Sequence, residues 1–233
     1  MQASMRDAII NHQPLPKFDA PFEVDAGYAF QKALVADIAQ TGVGGIKAGV
    51  TNAMAQQFLG LEHAVLGRLY PQGQLASGCH LSHLPGRLIE LEIAVWLDAK
   101  GRPTAIAPAI ELVFLQFSAD TDMTAGNLVA CNLGADQHII GTPQPFSDAF
   151  DALPMALSRN GQEVAATTST EALGGPSEAA AWMAAEAARR GFDMADETLL
   201  MTGACGQVVP AEAGEYVADY GQLGTIVFTV SAD

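Results

Sequence analysis

Positive charge is scarce in this chain. Eleven lysines and arginines face twenty-six aspartates and glutamates, a formal net charge of −15. A protein that grips phosphate backbones needs a basic face, so nucleic acid is excluded as a partner. Cysteine is scarce as well. Cys79, Cys131 and Cys205 are odd in number and far apart. That excludes a disulfide framework and points to a reducing cytoplasm. No apolar run approaches the roughly 18 residues that span a bilayer, so a membrane is not expected either. Met1 to Gln13 lacks the layout of a secretory signal. There is no internal repeat, and no glycine loop opens a helix in the manner of a phosphate site. Gly42-Val43-Gly44-Gly45 leads into a strand pattern instead.

What is present is apolar material. Of 233 residues, 49% are hydrophobic and 16% charged, enough for one sizeable core. A single domain over residues 1–233 is expected, helical to about residue 60 and β-rich from 61 onward. Pro14, Pro16 and Pro21 predict an irregular lead-in over residues 1–24. Phe30, Leu34 and Ile38 fall on one stripe, which predicts a helix over Asp25–Gln40 with Gly42 beyond it. Gly45–Val50 reads as a strand. Thr51 reads as the cap of a helix running to Leu59 and ended by Gly60.

Beyond that point β patterns dominate. Leu88–Leu97 alternates cleanly, and Ala105–Phe117 is almost wholly apolar. Asn160-Gly161 predicts a hairpin between Met155–Arg159 and Gln162–Thr168. Glu178–Arg190 is an Ala-rich helix with Ser177 as its cap. Thr198–Thr202 is a further strand, and Glu215–Tyr220 and Thr225–Val230 form a last hairpin. The pattern is α+β, with N-terminal helices, one late helix and a mixed sheet rolled into a sandwich or barrel.

The chemistry concentrates in Leu88-Ile89-Glu90-Leu91-Glu92-Ile93-Ala94-Val95-Trp96-Leu97. Ile89, Leu91, Ile93, Val95 and Leu97 share one strand face, which must be core. Glu90 and Glu92 stand side by side on the other. Two like charges about 6–7 Å apart repel, and burial adds a desolvation cost. A solvated strand face would tolerate the doublet; a divalent cation would remove both penalties. Glu111 favours the cation. It is the lone charge between Arg102 and Asp120, inside an apolar strand. Lys47, flanked by Gly45 and Gly49, is the second singular residue. It reads either as a snorkelling surface lysine or as a catalytic ammonium in the same cavity as the glutamates.

These residues carry a resemblance. Gly45-Ile46-Lys47-Ala48-Gly49-Val50-Thr51, Gln56-Gln57-Phe58-Leu59-Gly60, Ile89-Glu90-Leu91-Glu92-Ile93-Ala94 and Pro108-Ala109-Ile110-Glu111 come in an order similar to that of a known family. So do Gly161-Gln162-Glu163-Val164, Met201-Thr202-Gly203-Ala204 and Val209-Pro210-Ala211-Glu212-Ala213-Gly214. The family is the hydratase/decarboxylase branch of the fumarylacetoacetate hydrolase superfamily. The resemblance implies a mixed β-roll of the fumarylacetoacetase C-terminal-like type, Mg²⁺ or Mn²⁺, and a homo-oligomer. It carries metal binding onto Glu90, Glu92 and Glu111 and an active-site role onto Lys47. The expected activity is that of a lyase, a hydratase of short 2-oxo acids and their 2-hydroxydienoate forms. A decarboxylase, an acylpyruvate C–C hydrolase and a non-catalytic relative are the alternatives. Thr202 and Gly203, at a strand end, are expected to offer a backbone N–H to the substrate carboxylate. The chain departs from the family pattern at Cys131, where an acid is expected, and at Gly134, where a serine is expected.

Overall fold

The computed structural model describes residues 1–39 and 41–232. Helices α1 (Gln2–Ile10) and α2 (Val24–Ala39) come first, followed by β1 (Gly45–Gly49), α3 (Ala53–Leu59), β2 (Val65–Leu69), β3 (Gln74–Ala76) and β4 (Cys79–Leu81). Two long strands, β5 (Arg87–Leu97) and β6 (Pro103–Phe114), run through the middle of the chain. After them come α4 (Ala125–Ala130), β7 (Ala135–Ile140), β8 (Gln144–Pro145), β9 (Pro154–Arg159) and β10 (Gln162–Thr168). The chain closes with α5 (Pro176–Arg189), β11 (Thr198–Met201), β12 (Val209–Pro210), β13 (Gly214–Asp219) and β14 (Thr225–Val230). Among the described residues no helix is long and apolar enough to cross a membrane.

The strands form two mixed sheets. The larger has the order β2-β1-β11-β5-β6-β7-β3, with β12 also on β5 and β8 on β6. The smaller has the order β10-β9-β13-β14-β4. The alternation of β5 explains how they pack. Ile89, Leu91, Ile93, Val95 and Leu97 are each at most 2% exposed. They join Tyr216 and Phe228 of the smaller sheet, and Tyr220 just beyond β13, in one apolar cluster. The opposite face of β5 and β6 carries small residues. Ala94, Ala107 and Ala109 pack with Leu69, Leu199 and Met201 in a second buried cluster. The Asn160-Gly161 hairpin forms as expected, with both residues at positive φ, 52° and 77°, as a tight primed turn requires.

Three expectations need correction. Residues 1–24 are not wholly irregular, because α1 occupies Gln2–Ile10. The three prolines all lie beyond it. Its weak local pattern is rescued by docking: Met5 and Ala8 are buried against Leu34, Val35 and Ile38 of α2. The cap of α3 is Asn52, whose side chain accepts from the Ala55 N–H at 2.8 Å. Thr51 instead donates its hydroxyl to the Ala204 carbonyl. At α5 the helix starts earlier than Ser177, with Gly175 as N-cap and Pro176 in the first turn. The expected end of α2 at Gln40 lies outside the described residues.

Removing the α1 anchor tests this packing. Met5→Ala is expected to lose roughly 2–5 kcal/mol of unfolding free energy, the usual cost of truncating a fully buried methionine. Urea titration measures it, and an unchanged midpoint would mean that α1 is not docked in solution.

Candidate metal centre

The antiparallel register of β5 and β6 sets Glu90 directly opposite Glu111 and Glu92 opposite Ala109. Directly opposite residues share a face, so all three carboxylates leave the sheet on one side. One carboxylate oxygen from each of Glu90, Glu92 and Glu111 lies within 4.8 Å of the other two. Glu92 and Glu111 are 0% and 1% exposed, while Glu90 keeps a fringe of solvent.

Lys47 reaches this group from across the sheet. In the strand order, β11 and β5 separate β1 from β6, about 14 Å in a flat sheet at roughly 4.8 Å per strand. Yet Lys47 Nζ lies 2.5 Å from Glu111 Oε1. The sheet must therefore be curled, with the glutamate face concave. Lys47 Nζ also donates to the Leu133 carbonyl at 3.2 Å. Room for the lysine comes from Gly67, where a Cβ would lie 3.0 Å from Lys47 Cγ. Its neighbour Gly49 makes space for Leu133, whose Cδ1 would sit 2.8 Å from an added Cβ. These glycines admit protein side chains around the ammonium.

The Leu133 carbonyl is aimed by an unusual turn. Asn132, Leu133 and Gly134 follow one another at φ 58°, 55° and 67°. Leucine in this region is strained. Gly134 fits where a serine would not, since a Cβ there would meet Leu115 Cβ at 2.9 Å. Cys131 is packed at 2% exposure, and burial pushes its thiol up to about 12. It is a core residue and does not replace an acid.

The electrostatics are tense. Three carboxylates against one ammonium leave two negative charges in an enclosed space. Burial, then the Glu111 charge, pushes the Glu90 carboxyl up to about 7, with Lys47 opposing. Burial and the charges of Glu111 and Glu90 lift Glu92 well above the usual carboxylate range. Burial alone would lower Lys47, but the surrounding glutamates outweigh it and hold the ammonium above its ordinary range. Glu92 Oε1 and Glu111 Oε2 have no hydrogen-bond partner among the described residues. An all-oxygen donor set with unfilled lone pairs fits a hard divalent cation, and one such ion cancels the surplus charge.

Thr202 and Gly203 stand beside this group in a different role from that expected. The Gly203 N–H donates to Glu92 Oε2 at 2.9 Å, and the Thr202 N–H donates to the Ile93 carbonyl at 3.0 Å. Both amides are engaged in holding the strand end and Glu92. His80 and His83 join no metal-type group among the described residues.

No family model matches the chain. Curated relatives do. A 2-keto-4-pentenoate hydratase of Paraburkholderia xenovorans is 28% identical over 220 aligned positions, covering 87% of this chain and 81% of the relative. A 2-hydroxyhexa-2,4-dienoate hydratase of Comamonas testosteroni is 27% identical, with 73% and 71% covered. Among solved structures, 4-oxalocrotonate decarboxylase from Pseudomonas putida G7, complexed with magnesium and adipate, superposes with a TM-score of 0.80 at 20% identity. It covers 98% of this chain and 95% of its own. The sequence is thus similar to those of hydratases, and the fold is shared with the decarboxylase.

Within this fold, one residue at the site carries no signal in the sequence. His138 on β7 is the register partner of Glu111 and is 2% exposed. Its Nε2 has no hydrogen-bond partner among the described residues. Burial, then the Lys47 charge, lowers the imidazole to about 4, so it is a neutral wall of the site at working pH. A lone histidine in Gln137-His138-Ile139-Ile140 gives no local signal. The register with Glu111 reveals it.

The raised carboxyls set a pH dependence. A group whose folded-state pKa lies above its unfolded value stabilises the fold while protonated. For Glu90 that contribution is complete below the ordinary value of 4.5 and is lost as pH rises through about 7. The chelated protein is therefore expected to lose thermal stability from about pH 5 to about pH 8. The Glu90→Gln, Glu92→Gln double variant should lose less. Stability that climbs over this range because of these two residues would contradict the assignment.

Proposed function

We propose that the chain is a divalent-metal-dependent hydro-lyase that hydrates a short 2-hydroxydienoate of the 2-keto-4-pentenoate kind, with Glu90, Glu92 and Glu111 as metal ligands and Lys47 as the catalytic group. The observation that carries this reading is the convergence of three carboxylates, two buried and one partly so, with one ammonium, two negative charges in surplus. The hydratase relatives support the reaction class. A cytoplasmic homo-oligomer acting in aromatic-compound catabolism is part of the same proposal.

A bound Mg²⁺ or Mn²⁺ would supply Lewis acidity toward the 1-carboxylate and 2-oxygen of such an acid. The chain supplies the rest. Lys47, held protonated by its glutamate neighbours, acts as a donor. Two of its three N–H directions are occupied, by Glu111 and by the Leu133 carbonyl. The third is available to steady the substrate anion or deliver a proton. Hydration balances as two changes: the proton of the 2-hydroxyl ends on the C5 terminus, and water adds its hydroxyl to C4 and its proton to C3. Gly203, through its bond to Glu92, keeps that carboxylate aimed. His138 offers a neutral polar wall that neither repels nor traps the anion.

The assay is turnover of 2-hydroxypenta-2,4-dienoate, followed by product analysis. The expected product is 4-hydroxy-2-oxopentanoate, with activity abolished by EDTA and restored by Mg²⁺ or Mn²⁺. Turnover in excess chelator after dialysis would contradict the metal role. Release of CO₂ from a substrate with a second carboxylate would move the assignment to a decarboxylase, and C–C cleavage of an acylpyruvate would move it to a hydrolase. Lys47→Met should reduce kcat/KM by about 10²–10⁴-fold, the range for loss of an acid–base group. Lys47→Arg should not restore it, because guanidinium does not give up its proton.

A further inference from the structure

On the reverse side of β1 and β2 lies a second charged feature. Ile46 pairs with Arg68, and Lys47 pairs with Gly67. Arg68 therefore shares the Ile46 face and points away from the glutamates. Its side chain is 6% exposed, yet no carboxylate pairs with it among the described residues. The guanidinium donates through Nη1 to Gln31 Oε1 and stacks 3.7 Å from the centre of the Phe192 ring. Its Nε and Nη2 edge makes no hydrogen bond among the described residues. Asp193 acts on it through space without forming an ion pair, and an anion at the open edge would offset the remaining cost of burying the cation.

Arg68 lines a cavity of about 540 Å³, within the size range of small-molecule sites. Ala36, Ile46 and Phe192 provide apolar walls, and Lys32 adds a second cation. Asp193 is the acid among the lining residues. In a chain with only eleven cations and a net charge of −15, two of them at one apolar cavity single it out.

We propose that this cavity binds a small organic monoanion, a carboxylate on a short apolar body. The open Nε–Nη2 edge is a planar fork that takes a carboxylate through two parallel hydrogen bonds. The apolar walls suit a hydrocarbon body. Asp193 and the negative field of the chain disfavour a dianion such as phosphate. The cavity also borders the surroundings of Lys47. The Arg68 N–H donates to Asn132 Oδ1 at 2.7 Å, and Asn132 Nδ2 donates to the Arg68 carbonyl at 2.8 Å. The next residue, Leu133, is the one that accepts from Lys47.

Calorimetric titration of the full chain in chelator tests this, with hexanoate and inorganic phosphate as probes. Hexanoate should bind wild type and Glu92→Gln within roughly twofold of each other, and roughly tenfold or more weaker to Arg68→Gln. Ala36→Trp fills the cavity from an exposed position of α2 without touching the guanidinium, and should weaken hexanoate by a similar factor. Phosphate should bind roughly tenfold or more weaker than hexanoate. Unchanged hexanoate affinity in folded Ala36→Trp overturns the proposal. So does loss of hexanoate binding in Glu92→Gln, which would place it at the glutamates, or phosphate binding as tightly as hexanoate. A fall in oligomer mass on Ala36→Trp would also overturn it, by showing the cavity to be filled by a second copy.

Discussion

Three carboxylates crowded into a protein interior with a single ammonium are the constraint to which this structure answers. Glu90 and Glu111 face each other across β5 and β6, and Glu92 follows two residues on. Lys47 closes on Glu111 at 2.5 Å. Each group alone would be expensive to bury. Together they remain unbalanced by two charges, and the imbalance appears as carboxyls forced toward their protonated forms. A divalent ion resolves it with the ligand chemistry that the residues already offer.

Much of the fold can be understood as support for that group. The apolar face of β5 anchors the strand in the core between the sheets, leaving its other face to present the glutamates. Small residues at Ala94, Ala107 and Ala109 keep the concave side close-packed. The curl brings β1 within reach of β6. The strained turn at Asn132 and Leu133 places a carbonyl on the ammonium, and Gly203 holds the innermost carboxylate. Such strain and burial suit a site whose geometry is fixed before any ligand arrives.

The parts legible in the sequence were those written in local periodicity or in contrast with their surroundings. The alternation of Ile89 to Leu97 assigned both faces of β5, and Glu111 stood out as a charge in an apolar strand. The convergence of Lys47 with these residues depends on strand order and sheet curl, which no short window encodes; family resemblance supplied it. His138 was invisible because its meaning lies in its register with Glu111. Helix α1 was missed because its stability comes from docking Met5 and Ala8 onto α2 and not from its own pattern. The caps lie one or two residues from those expected: at α3 the polar neighbours Thr51 and Asn52 compete for the role and Asn52 takes it, while at α5 Pro176 fits the first turn and puts the cap at Gly175. A strand end leaves amides free, which is why the sequence points to Thr202 and Gly203 as substrate donors. Here Ile93 and Glu92 take them.

The central claim is that Glu90, Glu92 and Glu111 together hold one hard divalent ion. Mn²⁺ titration of the purified chain followed by electron paramagnetic resonance addresses it without any substrate. The account predicts one bound Mn²⁺ per chain, displaced by Mg²⁺, with affinity that rises as pH rises through about 7 because the Glu90 carboxyl must lose its proton to bind. Glu92→Gln should weaken binding about 100-fold or more, equivalent to roughly 2.7 kcal/mol. Binding of Mn²⁺ with undiminished affinity in Glu92→Gln and Glu111→Gln, or no stoichiometric binding by the wild-type chain, would contradict it.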